Sequence, residues 1–202
     1  MRIITGTARG RILAAPKGLA TRPITERVRG AIFNILRDEV AGAAALDLFA
    51  GSGSLGLEAL SRGAQRCVFV ERDRAAADVL RRNAATLGFT DRCEVLVADA
   101  FRVRPDGPFD IVFVDPPYAL AARLDEDSEM AGLVRNLFAG RLLKPAGVVV
   151  ARTPKRSGPL ALPSGAVLAD ERFYGADAVR FLRRSSQQSA ISRKRPHPDA
   201  EC

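Results

Sequence analysis

The sequence predicts an α/β domain whose doubly wound sheet is mostly parallel and closes with an antiparallel C-terminal hairpin. From residue 43 onward, short apolar runs alternate with helical patterns, which is typical of β-α-β units. A glycine-rich turn of the form G-x-G-x-x-G joins the first apolar run to the first helical pattern. Two β runs, 167–174 and 178–182, are too close in sequence for a crossover helix, so we expect them to pair antiparallel.

Residues 1–42 are predicted to be a small N-terminal extension that contains a β-hairpin and a helix. Residues 1–13 read as two short β segments around a turn, with Arg9 and Arg11 exposed. A loop containing proline and glycine follows, and Thr25 is expected to cap an amphipathic helix that runs to about residue 40. We expect the apolar face of this helix to pack on the main domain.

The main domain, residues 43–184, is predicted to contain seven strands and the helices between them. The first five strands are expected at 44–49, 66–71, 93–98, 109–115 and 147–152. Helices are expected at 54–62, at 74–87 and within 128–143, and a shorter polar link follows the third strand. The remaining residues, 185–202, lack apolar periodicity and are predicted to form a disordered basic tail.

Composition places the chain among ordinary globular proteins. The 202 residues are 47% hydrophobic and 27% charged, and no apolar run reaches the length of a membrane span. The three cysteines lack C-x-x-C spacing, which favours thiols in a reducing compartment over disulfides. The single histidine, His197, lies in the tail, so we expect neither a metal site nor histidine-based catalysis.

Positive charge is concentrated at the two ends of the chain. The net charge is +8, and residues 1–29 carry seven basic side chains against one acid. Residues 183–202 carry five basic side chains against two acids, whereas the region between is nearly neutral. This distribution favours a polyanionic partner over the alternative that the charge serves only solubility.

The glycine-rich turn contains Gly51, Gly53 and Gly56. We expect Gly51 to permit a tight turn, Gly53 to let the backbone approach a ligand, and Gly56 to allow the helix to pack closely on the strand. The helix N-terminus that follows suits an anionic group. In this context of strand and helix, the turn predicts a nucleotide-like ligand.

Acids lie at or near the carboxyl ends of four successive predicted strands, where ligands of open α/β sheets bind: Asp47, Glu71, Asp99 and Asp115. Glu71 lies twenty residues after the first glycine of the turn, a spacing at which an acid accepts hydrogen bonds from ribose hydroxyls. The alternative for Glu71 is an ion pair with a following arginine. Asp99 could meet an adenine amino group or cap a turn, and Asp47 could order the glycine turn or reach an ammonium group.

The most specific motif is Asp115-Pro116-Pro117-Tyr118, which directly follows an apolar strand. The prolines fix the backbone and leave neighbouring carbonyl groups without local N–H partners. A carboxylate oxygen and a proline carbonyl can then accept the two hydrogens of an exocyclic amine, which leaves the nitrogen lone pair free for attack. The tyrosine ring offers a surface on which a base can stack. A rigid loop leaving a strand is the plain alternative, and it does not account for this combination.

Taken in order, DLFAGSGSLGLEAL, FVER, ADAF and DPPY resemble the motifs of class I S-adenosylmethionine-dependent methyltransferases that act on amino groups of nucleobases. That class has a Rossmann-like sheet with the parallel strands and terminal hairpin predicted above. Three further segments, RIITGTARGRIL, TRPITERVRGAIFNIL and RFYGADAVRFL, resemble the bacterial 16S ribosomal RNA guanine-N2 methyltransferases. The resemblance spans residues 1–184.

The resemblance implies S-adenosylmethionine as the cofactor and direct transfer of its methyl group without a metal. The implied cofactor site consists of Asp47, Gly51, Ser52, Gly53, Glu71, Arg72, Asp99 and Ala100. The implied catalytic residues, which would hold the guanine amine and stack the extruded base, are Asp115, Pro116, Pro117 and Tyr118. The candidate contacts to RNA phosphates are Arg9, Arg11, Arg22, Arg27 and Arg29.

The implied partner is 16S ribosomal RNA, in the 30S subunit or in an assembly intermediate of it. We expect a cytoplasmic monomer with no membrane contact. One alternative is a DNA adenine or cytosine amino-methyltransferase, which DPPY would also serve, although no DNA target-recognition domain is evident. A noncatalytic RNA-binding module is opposed by the intact glycine turn, Glu71 and DPPY. A nicotinamide dehydrogenase is opposed by DPPY and the terminal hairpin.

Overall fold

Seven strands form one sheet in the computed structural model, which describes residues 1–15, 24–121 and 124–185. The strands are β1 (Ala44–Asp47), β2 (Arg66–Glu71), β3 (Cys93–Val97), β4 (Phe109–Val114), β5 (Leu143–Pro154), β6 (Ala166–Tyr174) and β7 (Asp177–Arg184). The α-helices are α1 (Glu26–Leu36), α2 (Ser54–Ser61), α3 (Arg74–Leu87) and α4 (Glu129–Ala139). The predicted disordered tail lies outside the described residues from position 186 onward.

The strand order is β3-β2-β1-β4-β5-β7-β6. The first five strands run parallel, and β7 pairs antiparallel with both β5 and β6. The predicted parallel sheet with an antiparallel C-terminal hairpin is therefore confirmed. β2 and β3 are added on one side of β1, whereas β4 and β5 are added on its other side. The order in which strands are added to the sheet therefore reverses at β1, although the strands themselves stay parallel. Ligands of such sheets bind in the crevice outside the carboxyl ends of these strands.

Apolar side chains cover both faces of the sheet, which explains why the parallel strands read as apolar runs. Every residue of β1 is buried. One face packs against α1, α2 and α3 around Phe33, Phe69 and Phe113. The other face packs against α4, where Val112 and Leu137 belong to a second apolar cluster. Within the described part of the chain, no helix is both long and apolar enough to cross a membrane.

Most element boundaries agree with the prediction to within two residues, and the two larger differences have identifiable reasons. The Thr25 cap is confirmed, because Thr25 Oγ1 accepts the backbone N–H of Val28 at 3.3 Å. However, α1 ends at Leu36 and not near residue 40, since Arg37 has a φ of 30° that interrupts the helical backbone. β5 starts at Leu143, earlier than predicted. The prediction began later because a proline and a glycine follow Leu143, and both residues are usually depleted in strands.

The first residues of the chain lie on α2. Among the described residues 1–15, one isolated antiparallel bridge, Arg2 to Ile12, stands where two short β segments were predicted. Backbone hydrogen bonds from Ile3 N to Arg11 O at 2.9 Å and from Leu13 N to Met1 O at 2.8 Å join the two segments as predicted. The turn between them also bonds to α2, since Thr7 N donates to Ser61 O at 2.8 Å. The segment is therefore a short hairpin whose turn is held against the main domain.

Glu58 of α2 is the buried centre of this attachment. Its carboxylate accepts hydrogen bonds from Ile4 N at 2.8 Å and Thr5 N at 3.1 Å, and it pairs with Arg62 at 2.7 Å. Arg29 of α1 is also fully buried, with its Nε 3.5 Å from Glu58 Oε2. Buried charges are tolerated when they are paired and hydrogen-bonded. Glu58 thus joins the N-terminal segment, α1 and α2 into one unit.

Gly56 allows α2 to pack directly on β2. A Cβ at this position would lie 2.2 Å from Phe69 Cε1 and 2.6 Å from Cys67 Sγ. We expect Gly56→Ala to lower the free energy of unfolding by about 1–3 kcal/mol, the usual cost of overpacking a core, as measured by urea denaturation. Gly132→Ala in α4 is the matched control, because a Cβ there would meet nothing within 4 Å. The control should be neutral or stabilising by about 0.5–1 kcal/mol, and equal losses in both variants would contradict the packing role.

Candidate active site

A cavity of about 310 Å³ lies at the carboxyl edge of the sheet. Its walls bring together the glycine-rich turn, Glu71 at the end of β2, Asp99 beyond β3 and the 115–118 segment after β4. Residues of the N-terminal extension, including Ile24, also line it. The cavity therefore joins distant parts of the sequence, and its size suits a small-molecule ligand.

The glycine-rich turn is held from two sides. Gly51 has a left-handed φ of 54°, and its amide donates to Glu71 Oε2 at 2.8 Å. Behind the turn, the buried side chain of Asn83 in α3 donates from Nδ2 to Ser52 O and to Ala14 O, both at 3.0 Å. Asn83 Oδ1 accepts the Ala14 amide at 2.9 Å. One asparagine thus ties the turn to the N-terminal extension with both of its side-chain donors and its acceptor.

Gly53 lies behind the turn, next to the start of α2. It is not among the described residues that line the cavity. With a φ of 86° it precedes α2, and a Cβ here would lie 3.0 Å from the side chains of Leu57 and Leu80. Gly53 therefore serves the turn and its packing, whereas Gly51 lines the cavity with open space where a side chain would begin.

Asp47 lies beneath the turn and outside the described lining of the cavity. Its side chain is buried, and Oδ2 accepts the Gly56 amide at 3.1 Å. This contact is the first of its two predicted roles, the ordering of the glycine turn, and it does not involve the ligand directly. Burial raises the pKa of the Asp47 carboxyl to about 7, although the hydrogen bond from Gly56 opposes the shift.

The raised pKa of Asp47 predicts a pH-dependent stability. Between about pH 4 and pH 7 the folded protein keeps a proton that the unfolded chain releases, so the free energy of unfolding falls as the pH rises through this range. Asp47→Asn removes this proton uptake while keeping an oxygen for the Gly56 amide. The free energy of unfolding of the variant minus that of wild type should therefore increase from pH 4 to pH 7, by up to about 3–4 kcal/mol. Urea denaturation at several pH values measures the difference, and a difference independent of pH would contradict the raised pKa.

The 115–118 segment on the other side of the cavity is connected to β5 and β7. Asp115, Pro116, Pro117 and Tyr118 all line the cavity. Arg152 Nε of β5 donates to Asp115 Oδ1 at 2.6 Å, and Arg152 Nη1 lies 3.4 Å from Asp177 Oδ2. The Tyr118 hydroxyl donates to Asp177 Oδ1. Burial raises the pKa of the Asp115 carboxyl, and the guanidinium of Arg152 counteracts this effect.

This arrangement of a glycine-rich turn and a DPPY segment around one cavity agrees with the similarity of the whole chain to known proteins. Residues 1–183 match the family described as Conserved hypothetical protein 95. The chain belongs to this family. The match includes the N-terminal extension, the cavity and the terminal hairpin, so it covers every element described above.

Relatives of the chain include named methyltransferases. Ribosomal RNA small subunit methyltransferase D of Escherichia coli K12 is 36% identical over 189 residues, covering 93% of this chain and 91% of that protein. The protein of the same name from Haemophilus influenzae is 35% identical over 186 residues, covering 90% and 92%. The solved structure of Escherichia coli yhhF has a TM-score of 0.78 at 34% identity and covers 91% of this chain and 97% of that one. This member of the Conserved hypothetical protein 95 family is a methyltransferase.

Most of the residues predicted to bind the cofactor of this methyltransferase line the cavity. They are Gly51, Ser52, Glu71, Arg72, Asp99 and Ala100. Glu71 Oε1 accepts the Asp73 amide at 2.9 Å in addition to the bond from the turn. The alternative ion pair with a following arginine is not among the ion pairs of the described residues. Asp99 Oδ1 accepts the Phe101 amide at 2.9 Å, so it caps a turn at the cavity wall.

The arginines predicted to contact RNA differ in exposure. Arg9, Arg11 and Arg27 are exposed, and Arg11 Nη2 also donates to Thr86 O at 2.8 Å. Arg22 lies outside the described residues. Arg29 contradicts the prediction of a phosphate contact, because its side chain is fully buried against Glu58. The N-terminal segment covers this side of α1, and Arg29 Nη2 donates to the backbone carbonyl of Arg2.

Several site residues were not predicted from the sequence. Arg152 lines the cavity and is placed beside Asp115 by the register of β5 with β4, and the pairing of β5 with β7 brings Asp177 next to it. Asn83 lies on the buried face of α3. Phe49 and Phe101 form an aromatic pair at the cavity wall, with ring centroids 5.8 Å apart. Both lie at or just beyond the carboxyl ends of predicted strands, which was the sequence signal that could have placed them at the site. The described residues contain no group of three side chains that could hold a metal ion.

Proposed function

We propose that the chain methylates the exocyclic N2 amine of a guanine in 16S ribosomal RNA of the small subunit, with S-adenosylmethionine as the methyl donor. The observation that carries the proposal is the single cavity in which the 115–118 segment and the glycine-rich turn face the same space. The substrate is supported by relatives named ribosomal RNA small subunit methyltransferase D. The match to the Escherichia coli protein covers more than nine-tenths of that protein's length. One chain contains both halves of the site, and we propose that it acts as a cytoplasmic monomer.

The turn side of the cavity fits S-adenosylmethionine. Open space beside Gly51 leaves room for the methionine part, and the N-terminus of α2 favours a carboxylate. Glu71 and Asp99 supply acceptors for ribose hydroxyls and an adenine amine, and the aromatic pair of Phe49 and Phe101 supplies an apolar wall. When bound, the sulfonium supplies an already activated methyl group. The task of the protein is then to position two reactants, which can remove a large part of the barrier.

The 115–118 side is proposed to hold the acceptor amine. Arg152 occupies Asp115 Oδ1, whereas Oδ2 accepts no hydrogen bond from the described residues. Asp115 Oδ2 and the carbonyl of Pro116 can therefore accept the two amine hydrogens, and the nitrogen lone pair stays free. Tyr118, whose hydroxyl is fixed by Asp177, offers its ring to the base. The guanine must leave its stack to reach this position.

The RNA backbone is proposed to lie along the N-terminal extension. Arg9, Arg11 and Arg27 are exposed there, and Ala15 and Ile24 of the same extension line the cavity. Phosphate contacts at this surface would fix the position of the RNA relative to the cavity without reading its sequence. Binding should therefore weaken steeply as the salt concentration rises.

Methylation of defined substrates tests this function. The protein is incubated with labelled S-adenosylmethionine and either 30S subunits, naked 16S RNA or DNA, and the products are digested to nucleosides. We expect labelled N2-methylguanosine from 16S RNA in at least one of the two RNA forms. Labelled N6-methyladenine from DNA alone would overturn the proposal in favour of a DNA amino-methyltransferase. Cofactor binding without transfer to any of the three substrates would favour a noncatalytic module.

A further inference from the structure

We propose that Arg152 and Asp177 are positioning residues for the methyl acceptor, which hold the Asp115 carboxylate and the Tyr118 ring in the orientation that receives the base. The inference rests on the proposed function and deepens it. It concerns two side chains from β5 and β7, outside the motif that presents the acceptor.

The contacts form an unbroken chain across the site. Arg152 donates from Nε to Asp115 Oδ1 at 2.6 Å and places Nη1 3.4 Å from Asp177 Oδ2. Asp177 Oδ1 in turn accepts the Tyr118 hydroxyl. The guanidinium carbon of Arg152 also lies 5.9 Å from the centre of the Tyr118 ring. The first and last residues of the DPPY motif are thus fixed through the same pair of side chains.

Burial makes this chain of contacts rigid and difficult to break. Arg152 is 8% exposed and Asp177 is 5% exposed. Two carboxylates share one guanidinium in this space, and the fork of an arginine suits such a double contact better than the point charge of a lysine. Removal of Arg152 would leave Asp115 and Asp177 as neighbouring carboxylates without their common cation, which would repel each other and turn away from the present geometry.

The sheet provides the rigid base for these contacts. In the register of the strands, Ala151 pairs with Val114, the last residue of β4, and Arg152 is the next residue of β5. Asp177 pairs with Pro154 across the antiparallel β5–β7 ladder. The loop that carries Asp115 and Tyr118 is therefore held by side chains of β5 and β7, two strands that are paired on both sides. Small displacements of reacting groups are costly for the rate, so this attachment is expected to affect turnover.

Arg180 shows that a buried arginine in this hairpin need not serve the site. It is 4% exposed, pairs with Glu171 at 2.7 Å and donates to Thr153 Oγ1 at 2.6 Å. Its burial and its carboxylate partner match those of Arg152, yet none of these residues lines the cavity among those described. Arg180→Lys is therefore the matched control for Arg152→Lys.

Steady-state kinetics provide the first test. In the 30S or 16S RNA assay, Arg152→Lys is expected to lower kcat by roughly 10- to 100-fold, while the dissociation constant for S-adenosylmethionine, measured by calorimetry, stays near that of wild type. Arg180→Lys should keep a near-normal kcat although it loses a comparable buried contact. Thermal unfolding of both variants shows whether their stability losses match. A kcat for Arg152→Lys no lower than that for Arg180→Lys would overturn the positioning role.

Tyrosine fluorescence provides a second test that needs no substrate. The chain has two tyrosines and no tryptophan, so in a Tyr174→Phe background the emission comes from Tyr118. A carboxylate that accepts the phenol hydroxyl takes its proton in the excited state and quenches this emission. Asp177→Asn keeps the shape of the side chain but not the carboxylate, so the emission should rise. Arg152→Lys should also change it, because Asp177 loses its fixed position.

The two tests separate failure of this inference from failure of the proposed function. Unchanged emission in Asp177→Asn would overturn the inference whatever the substrate is. If wild type labels no guanine, the proposed function fails, and the emission alone then decides whether Arg152 and Asp177 hold Tyr118. Changed emission together with a normal kcat for Arg152→Lys would mean that the contacts exist but do not affect turnover. That result would overturn the positioning role.

Discussion

Asp115→Ala is expected to abolish methyl transfer while leaving cofactor binding close to that of wild type. The substitution removes the carboxylate that we propose to accept an amine hydrogen, and it leaves Arg152 without its 2.6 Å partner. Loss of one such positioned group costs about 10²–10³ in turnover in other enzymes, and disruption of the neighbouring Tyr118 contact should add to this. We therefore expect a loss of at least about 10³-fold in kcat. Gly51, Glu71 and Asp99 lie on the other wall, so the cofactor affinity should be preserved.

Asp110→Ala is the matched control for this experiment. Asp110 lies near the opposite end of the same strand, where Oδ2 accepts the Ala44 amide at 2.8 Å and pairs with Lys144 at 2.8 Å. Its loss should affect stability and not turnover. Labelled-methyl transfer and calorimetry with S-adenosylmethionine measure the two variants side by side. Near-normal turnover by Asp115→Ala would eliminate the proposed mechanism.

Glu58→Ala is expected to cause the largest loss of stability, about 3–5 kcal/mol in the free energy of unfolding. Arg29 would keep its buried charge without its paired carboxylate, and Ile4 N and Thr5 N would lose their acceptor. Because the N-terminal extension also lines the cavity, its release should weaken cofactor binding as well. Urea denaturation measures the first effect, and calorimetry measures the second.

Glu26→Ala is the control, since the Arg2–Glu26 pair is exposed and such pairs contribute about 0–1 kcal/mol. Similar losses for Glu26→Ala and Glu58→Ala would contradict the central role of Glu58. The double variant Arg29→Met/Glu58→Leu is informative in addition. It removes both buried charges together, so it should recover part of the stability that Glu58→Ala loses.

The sequence was most informative where the interactions are local. The glycine turn, the strand-end acids and DPPY lie beside the strands that position them, and periodicity was sufficient to locate the parallel sheet. The terminal hairpin followed from the length of its connection. Thr25 was predicted as a cap because the hydrogen bond that it makes spans three residues.

The sequence was least informative where two distant segments decide the environment of one side chain. Arg29 is buried because residues from the start of the chain cover it, and the packing of Leu57 and Leu80 beside Gly53 leaves little room for a side chain there. Arg152 and Asp177 have ordinary strand positions until the β5–β7 register brings them together. No local pattern contains that register, because it depends on the pairing of whole strands.

The position of β7 in the sheet has a consequence for synthesis of the protein. β7 lies between β5 and β6 and carries Asp177, so the last of the described strands to leave the ribosome is needed before the 115–118 segment can be fixed. The glycine-rich turn and its supporting helices emerge earlier, on the order of ten seconds before β7 at ordinary translation rates. A nascent chain therefore contains the glycine-turn side of the cavity before Asp177 can fix the 115–118 segment.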